Sequence, residues 1–441
     1  MTRQVPRASV ADTLRVLAAV VAPTVAKGVL ARRPRVVAAE EQVDADGHAV
    51  RLLTELRGRY GHEPLLLNLP GRDFALVLHP DHVHRVLDGS PEPFAVASLE
   101  KRAALRLFQP HGVLVTRGSE REELRERNEV ALDTGRVHRH AGAFLAKIDD
   151  EAADLLRRAD RTGVLAWDDF RRTWWRVVRR IVLGDAARDD SITTDLLTRL
   201  RMDANWAFAH PNRPRVERAF ASRLHRYAVR AAPDALASPG VESQMPQWLF
   251  AYEPAAMAAF RALALLAAHP EQASRAREEA VLARDSGADE TDLPFLRACV
   301  QESLRLWPTS PAILRDTTEE TVWNGHVLPQ GSGLLLFTPF LGRDAENLPY
   351  ADAFTPDLWL DGRPEHDWEA IPFSAGPAQC PGRDLVLLTT SRFLAALLER
   401  HDYHQRAGKE LDPPRPLPHT FSPFRLAFDA VPAPQPVSTA W

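Results

Sequence analysis

Residues 373–383 read Phe-Ser-Ala-Gly-Pro-Ala-Gln-Cys-Pro-Gly-Arg, and an amphipathic helix pattern follows directly. Cys380 therefore stands just before a helix N-terminus, where free backbone N–H groups and the helix dipole favour the thiolate over the thiol. Gly376 and Gly382 permit backbone conformations and close approaches that a Cβ would prevent. Phe373 can shield the sulfur from water. We expect a buried thiolate here, which is the form of cysteine that ligates iron.

The chain contains two cysteines, Cys299 and Cys380, so a framework of disulfides is excluded and each thiol needs its own interpretation. A cysteine at the start of a helix is by itself more often a buried packing residue than a ligand. The glycines and the phenylalanine around Cys380 favour ligation over packing.

The spacing Phe-x-x-Gly-x-x-x-Cys-x-Gly resembles the haem-binding signature of the cytochrome P-450 family, with Cys380 at the position of the proximal ligand. The resemblance implies that the chain binds haem b, iron protoporphyrin IX. It also implies a fold that is mostly α with minor β, in which a long central helix lies over the haem beside small β-sheets. Family members often carry a His or Arg two positions before the cysteine that binds a haem propionate. Ala378 stands there in this chain, so other arginines must bind the propionates.

Three arginines match further positions at which the family binds haem propionates. Arg121 and Arg125 lie one helical turn apart, so both side chains can reach one anionic edge. Arg315 matches a position on a later strand, and Ala312 and Ile313 before it would face the substrate. Without the cysteine loop, the first two arginines would be interpreted as a solvated helix face.

A Glu-x-x-Arg pair, Glu302 and Arg305, stands in a helical pattern that ends at Pro308. Its i,i+3 spacing places both side chains on one helix face, which alone would indicate a surface ion pair. In the family the matching pair is buried and shapes the proximal core, and Cys299 in the same helix is then a packing residue. The family usually adds an arginine from a later segment, and Leu358 stands in its place.

Residues 248–268 form an almost continuous apolar helix pattern, which indicates a helix that runs through the core. By resemblance, Glu253 holds the acid position of the family's proton relay and Pro254 replaces its alcohol, since residues 244–273 contain no Ser or Thr. Burial should raise the pKa of Glu253, and a structural carboxylate is the alternative interpretation. Pro254 should open the helix locally, because it cannot donate to the carbonyl of Phe250.

Composition limits the classes of function and the domain organisation. The chain has 441 residues, of which 45% are hydrophobic and 26% charged, and its formal net charge of -4 argues against nucleic acid as the main partner. The uncharged run at residues 16–26 is too short to span a membrane, so we predict no membrane span and a cytoplasmic protein. We also predict a helical N-terminal extension over residues 1–34 and a single haem-thiolate catalytic domain over residues 35–441.

These features predict a haem-thiolate oxidoreductase, either a monooxygenase or an oxidative tailoring enzyme. It would act on a small hydrophobic or aromatic molecule of bacterial secondary metabolism and receive electrons from a ferredoxin-type partner. Phe250, Ala251 and Phe421 complete the predicted substrate contacts. The Glu253-Pro254 pair leaves peroxide-dependent or non-hydroxylating chemistry (coupling, cyclisation or isomerisation) as a second hypothesis, although peroxide-using relatives carry an arginine before the proline. A haem sensor without turnover is the third hypothesis.

Overall fold

The computed structural model describes residues 3–209, 212–285, 291–364, 368 and 370–433. Within these ranges the chain is mostly helical with small β-sheets, as predicted. The helices are α1 (Val10–Val16), α2 (Ala22–Lys27), α3 (Pro34–Gln42), α4 (Ala45–Tyr60), α5 (Pro80–Asp88), α6 (Leu99–Leu105), α7 (Gly118–Leu132), α8 (Ala141–Thr162), α9 (Trp167–Leu183), α10 (Ser191–Ala204), α11 (Pro214–Arg230), α12 (Met245–Ala268), α13 (Pro270–Asp285), α14 (Pro294–Leu306), α15 (Thr338–Leu341) and α16 (Arg383–Leu398).

The strands form one five-stranded sheet and two three-stranded sheets within the described residues. They are β1 (Arg3–Gln4), β2 (Leu65–Leu66), β3 (Phe74–Leu76), β4 (Phe94–Ala95), β5 (Val164–Ala166), β6 (Ala312–Thr317), β7 (Thr321–Trp323), β8 (His326–Leu328), β9 (Gly333–Phe337), β10 (His401–Ala407) and β11 (Ala427–Pro432). The strand orders are β2-β3-β9-β6-β4, β10-β11-β5 and β1-β8-β7. Strand β9 reads Gly-Leu-Leu-Leu-Phe and is buried at all five positions, which is typical of a strand covered on both faces.

Helix α12 is the long apolar helix that the sequence predicts, and it packs against α9, α14 and α16. The helix is continuous across Pro254, so the predicted local opening is wrong. Pro254 still leaves the Phe250 carbonyl without its usual helical donor, but the surrounding core holds the helix together. The Trp174 indole also donates to the Tyr252 carbonyl, at 2.7 Å.

By length and composition, α12 is the one helix in the described part of the chain that is apolar enough to cross a membrane. Its most apolar window is 78% buried inside the protein. A core helix and a membrane span meet the same criterion, because both are apolar on nearly all sides.

The segment before α3 is attached to the rest of the molecule at several points. Strand β1 pairs with β8, and a π-helical turn at Leu17–Val21 joins α1 to α2. The Leu30 N–H donates to Asn205 Oδ1 at 2.8 Å, and the Leu30 carbonyl accepts from Arg201 Nε at 2.9 Å. The end of this segment is therefore fixed against the C-terminal part of α10.

The hydrophobic core has two parts. The larger part joins α8, α9, α12, α14 and α16 and contains edge-on and stacked aromatic rings such as Phe170 and Phe393, whose centroids lie 5.2 Å apart. The smaller part lies between α4, α5 and the five-stranded sheet. Residues from both parts, for example Val386 and Ile371, line the cavity described next.

Candidate active site

A cavity of about 350 Å³ lies where α7, α12, β6 and the cysteine loop (residues 373–383) meet. This volume is in the range of cavities that enclose a small molecule. Most of the predicted site residues line it: Arg121, Arg125, Phe250, Ala251, Pro254, Ala312, Ile313, Arg315, Phe373, Cys380 and Gly382. Gly376, Glu253 and Phe421 do not.

The cysteine loop is held by its own backbone. The Cys380 N–H donates to the Phe373 carbonyl at 2.9 Å, which closes the loop before α16 begins. Gly376 has φ +67°, and a Cβ there would lie 2.4 Å from the Leu87 carbonyl oxygen of α5. A glycine is therefore required for the packing of the loop against α5, and the assignment of Gly376 to the cofactor site stays a prediction. A Cβ at Gly382 would instead meet nothing closer than 3.9 Å, which leaves the cavity side of the loop open.

The protein alone does not favour a thiolate at Cys380. Burial raises the pKa of the Cys380 thiol, and the Gly382 N–H and the Arg125 charge lower it by less. The N–H at the helix start favours the thiolate as expected, but it does not outweigh the larger cost of desolvating the charge. A bound metal cation would reverse this balance, since it stabilises the deprotonated sulfur directly.

Three arginines line the same cavity, and two of them have no acidic partner among the described residues. Arg315 is 3% exposed, donates to Ser90 Oγ at 2.7 Å, and has its pKa lowered to about 10 by burial and by the neighbouring Arg121. Among the described residues, neither Arg315 nor Arg121 has a carboxylate within ion-pair distance, and Arg121 Nε is buried without a partner. Arg125 pairs with Glu129 of the same helix. Unpaired buried cations of this kind need an anionic group.

Lys101 of α6 is a cavity cation that the sequence analysis missed. Its ammonium donates to the carbonyls of Val96 and Leu314, at 3.0 and 3.1 Å. Burial, with Arg315 nearby, lowers the pKa of Lys101 well below its usual value. Lysine stands at only four positions of the chain, and this scarcity beside abundant arginine is the one signal that could have drawn attention to Lys101.

These residues fit a haem group. Cys380 would supply a thiolate ligand to the iron, and Lys101, Arg121 and Arg315 would bind the propionates through charge-assisted hydrogen bonds. Gly382 leaves room for a flat macrocycle beside the sulfur.

Glu253 lies away from the cavity, contrary to the prediction. Its carboxylate forms an ion pair with Arg201 of α10, and its side chain is 19% exposed. Arg201 also stacks over the Phe250 ring, 4.7 Å from the centroid. Phe250 and Pro254 therefore take the cavity face of α12, and Glu253 projects from another face toward α10.

Phe421 is also outside the cavity. Its ring packs on Trp307 with centroids 4.6 Å apart, and its carbonyl accepts a hydrogen bond from Arg261. It borders a separate cavity of about 30 Å³ and is 1% exposed. The prediction of a substrate contact is wrong, because the ring is part of the core.

The Glu302–Arg305 pair is fully buried, with Arg305 Nη2 2.6 Å from Glu302 Oε1. Arg305 also donates to the Gly342 carbonyl at 2.8 Å. The arginine that Leu358 displaces has a substitute, because the Trp359 indole donates to Glu302 Oε2 at 2.9 Å. Sequence reasoning recorded the loss at Leu358 but missed the adjacent donor.

A cytochrome P450 family model matches residues 244–423. Sugiol synthase from Salvia miltiorrhiza is 33% identical over 147 residues, which cover 31% of this chain and 30% of that protein. 2-Hydroxyisoflavanone synthase from Glycine max is 34% identical over 157 residues, which cover 32% of this chain and 30% of that protein. The matches thus span about a third of the length of these curated relatives.

Two solved structures share the fold over most of the chain. The retinoic acid-bound cyanobacterial CYP120A1 aligns with a TM-score of 0.67 and 16% identity, over 86% of this chain and 94% of that chain. A six-coordinated cytochrome P450 from Thermus thermophilus aligns with a TM-score of 0.63 and 21% identity, over 87% and 98%. With the family-model match over residues 244–423, these structures show that the chain has the cytochrome P450 fold.

Proposed function

We propose that the protein is a haem-thiolate oxidoreductase that holds haem b through Cys380 and oxidises a small, largely apolar molecule. One observation carries the proposal: the Cys380 thiol shares a cavity with Lys101, Arg121 and Arg315, which have no carboxylate partner among the described residues. A cofactor with an iron atom and two carboxylates meets both requirements at once. When bound, haem would supply the oxidising chemistry.

The proposed substrate is a small hydrophobic or aromatic molecule. Phe250, Ala251 and Pro254 of α12 line the cavity together with Ala312 and Ile313 of β6, and these side chains are apolar. Their contribution is to exclude water and to hold an apolar molecule in one orientation.

Glu253 is proposed as a structural carboxylate of the α12 wall, which is the second of the two roles that the sequence leaves open for it. Its carboxylate is paired with the buried Arg201 on the far side of that wall, next to Pro254, which lines the cavity. A proton would have to reach the cavity through water, because α12 contains no Ser or Thr between residues 245 and 268.

Peroxide-dependent or non-hydroxylating chemistry is the second candidate. The observation that favours it is Pro254, which places a pyrrolidine ring where an alcohol would otherwise face the cavity. The discriminating test supplies hydrogen peroxide without redox partners. Turnover faster than with reduced partner proteins would favour this candidate, and negligible turnover would favour the monooxygenase.

The biological setting is part of the same proposal. We infer a ferredoxin-type electron donor, a cytoplasmic location and a place in bacterial secondary metabolism from the resemblance of the motifs to those of bacterial P-450 proteins. Purification of the protein and reduction by a bacterial ferredoxin and its reductase would test the first of these.

The test of haem ligation is the spectrum of the reduced protein with carbon monoxide. We expect a Soret band near about 450 nm, the mark of thiolate ligation. Cys380→Ser should lose that band, while Cys299→Ser, a change at the other cysteine, should keep it. A band near about 420 nm in fresh, intact wild-type protein would contradict the proposal.

A further inference from the structure

Two glutamines line the active-site cavity and bond to each other. Gln109 lies in the loop after α6, and Gln247 lies near the start of α12. Gln109 Nε2 donates to Gln247 Oε1 at 2.9 Å. Gln247 lies on the same side of α12 as Ala251 and Pro254, four and seven residues later, so its amide belongs to the cavity face of the helix.

The pair has hydrogen-bonding capacity that the protein does not use. Gln109 is 1% exposed, and its Oε1 is enclosed without a hydrogen-bond partner. Gln247 Nε2 also makes no hydrogen bond to any residue that the structure describes. An amide oxygen without a partner costs free energy through desolvation, and because both glutamines line the cavity, a molecule bound there is the partner to test for.

The pair leaves both a hydrogen-bond donor and a hydrogen-bond acceptor unused, whichever glutamine donates to the other. Two primary amides joined by one hydrogen bond always leave one carbonyl oxygen and one NH₂ group for a further partner. Exchanging oxygen and nitrogen in both amides changes which residue offers each, but the pair still offers one acceptor and one donor.

A donor beside an acceptor selects for a neutral group. A carboxylate would be repelled by the free amide oxygen, and an ammonium by the free NH₂ group. A hydroxyl or a carboxamide satisfies both, because each donates and accepts. The neighbouring lining is apolar at Val113, Leu114 and Phe250, so the rest of the ligand would be apolar as well.

Other amides of the same cavity are already used by the protein. Asn128 Oδ1 accepts from the Trp248 indole at 2.8 Å. Gln244 Nε2 donates to Ser243 Oγ at 2.9 Å, and its Oε1 accepts from the Val113 N–H at 3.4 Å. Gln244 thus supports the wall, which makes it the matched control for the pair.

We propose that Gln109 and Gln247 form a specificity site for a neutral donor–acceptor group, a hydroxyl or a carboxamide, on an otherwise apolar substrate. This inference rests on the proposed function, because it assigns the cavity to a substrate.

The experiment uses haem-loaded protein and two imidazole series of increasing chain length, 1-alkylimidazoles and 1-(ω-hydroxyalkyl)imidazoles. The imidazole nitrogen binds ferric haem and shifts the Soret band, which reports the dissociation constant of each ligand. The measured quantity is the ratio of the two constants at equal chain length. The comparison includes the wild type and three variants, Gln109→Met, Gln247→Met and Gln244→Met.

We expect the hydroxyl to improve binding by roughly fivefold to tenfold at the chain length that reaches the pair, as one or two new hydrogen bonds would. That advantage should disappear in Gln109→Met and Gln247→Met and persist in Gln244→Met. A ratio near one at every length in wild type, or an equal loss in all three variants, would overturn the inference. Failure of the proposed function can be distinguished from failure of this inference. Loss of thiolate ligation shows in the carbon monoxide spectrum, whereas the imidazole assay works with or without a thiolate, because imidazole binds ferric haem in both cases.

Discussion

The scaffold beneath the cysteine loop and the cavity wall formed by α12 are built in different ways. In the scaffold, Glu302 and Arg305 are fully buried, and each is surrounded by hydrogen-bond partners from later parts of the chain. At the wall, Gln109 of the loop after α6 bonds to Gln247 of α12 but leaves its own Oε1 without a partner, and Glu253 pairs away from the cavity with Arg201. The difference indicates that the scaffold is complete without a ligand, whereas the wall has polar groups left for one.

The largest expected effect comes from breaking the scaffold. Glu302→Ala leaves the Arg305 charge buried without its partner, which should lower the free energy of unfolding by about 3–5 kcal/mol. Unfolding in urea measures this loss in the free energy of unfolding. Glu123→Ala removes an exposed pair with Arg127 and should cost less than about 1 kcal/mol. Similar losses in the two variants would contradict the comparison.

Trp359→Phe tests whether the indole takes the place of the missing arginine. The change removes one hydrogen bond to the buried Glu302 carboxylate, so we expect a loss of about 1.5–3 kcal/mol in the free energy of unfolding. Trp206→Phe, at an exposed tryptophan, should have little effect. No loss in Trp359→Phe would mean that Glu302 is satisfied by its other donors alone.

Arg315→Leu examines the unpaired cations of the cavity. Removing one charge-assisted partner of an anionic cofactor should speed haem loss roughly tenfold, measured as haem transfer to excess apomyoglobin. Arg172→Leu, an exposed arginine of α9, is the control. Unchanged haem loss in Arg315→Leu would remove this residue from the proposed propionate site.

Pro254→Thr changes the wall without adding charge. It restores a backbone N–H for the Phe250 carbonyl and places a hydroxyl on the cavity face. We expect a larger fraction of the consumed electrons to appear in product, with substrate binding little changed. Equal electron recovery in wild type and variant would separate Pro254 from proton supply.

The smallest expected effect is a pH dependence near α10. Burial alone would raise the pKa of Asp190, but hydrogen bonds from Thr193, Tyr227 and Arg223 outweigh it and lower the pKa from 3.8 to about 2. The unfolded chain therefore binds more protons between these values, so this stabilisation is complete above about pH 4 and is lost as the pH falls toward 2. Asp190→Asn should flatten that part of the plot of unfolding free energy against pH. An unchanged slope would assign the acid sensitivity to other carboxylates.

Several parts of the site could be predicted from the sequence because their residues are close together in the chain. The Cys380 loop and the Glu302–Arg305 pair each lie within one short segment, so their spacing alone indicates the contact that the structure has. The apolar pattern of α12 likewise predicts its burial. Local spacing also predicts that Arg121 and Arg125 share one helix face.

Only the tertiary structure decided the contacts of the site that join distant segments of the chain. Gln109 and Gln247 are separated by 138 positions, and Trp359 reaches Glu302 across 57. The direction of Glu253 was decided by Arg201 on another helix. Helical periodicity gives the face on which a side chain lies, but the partner on that face depends on the packing of other elements. The sequence by itself thus indicated the fold and singled out Cys380 as the predicted ligand, and packing decided which groups face the cavity.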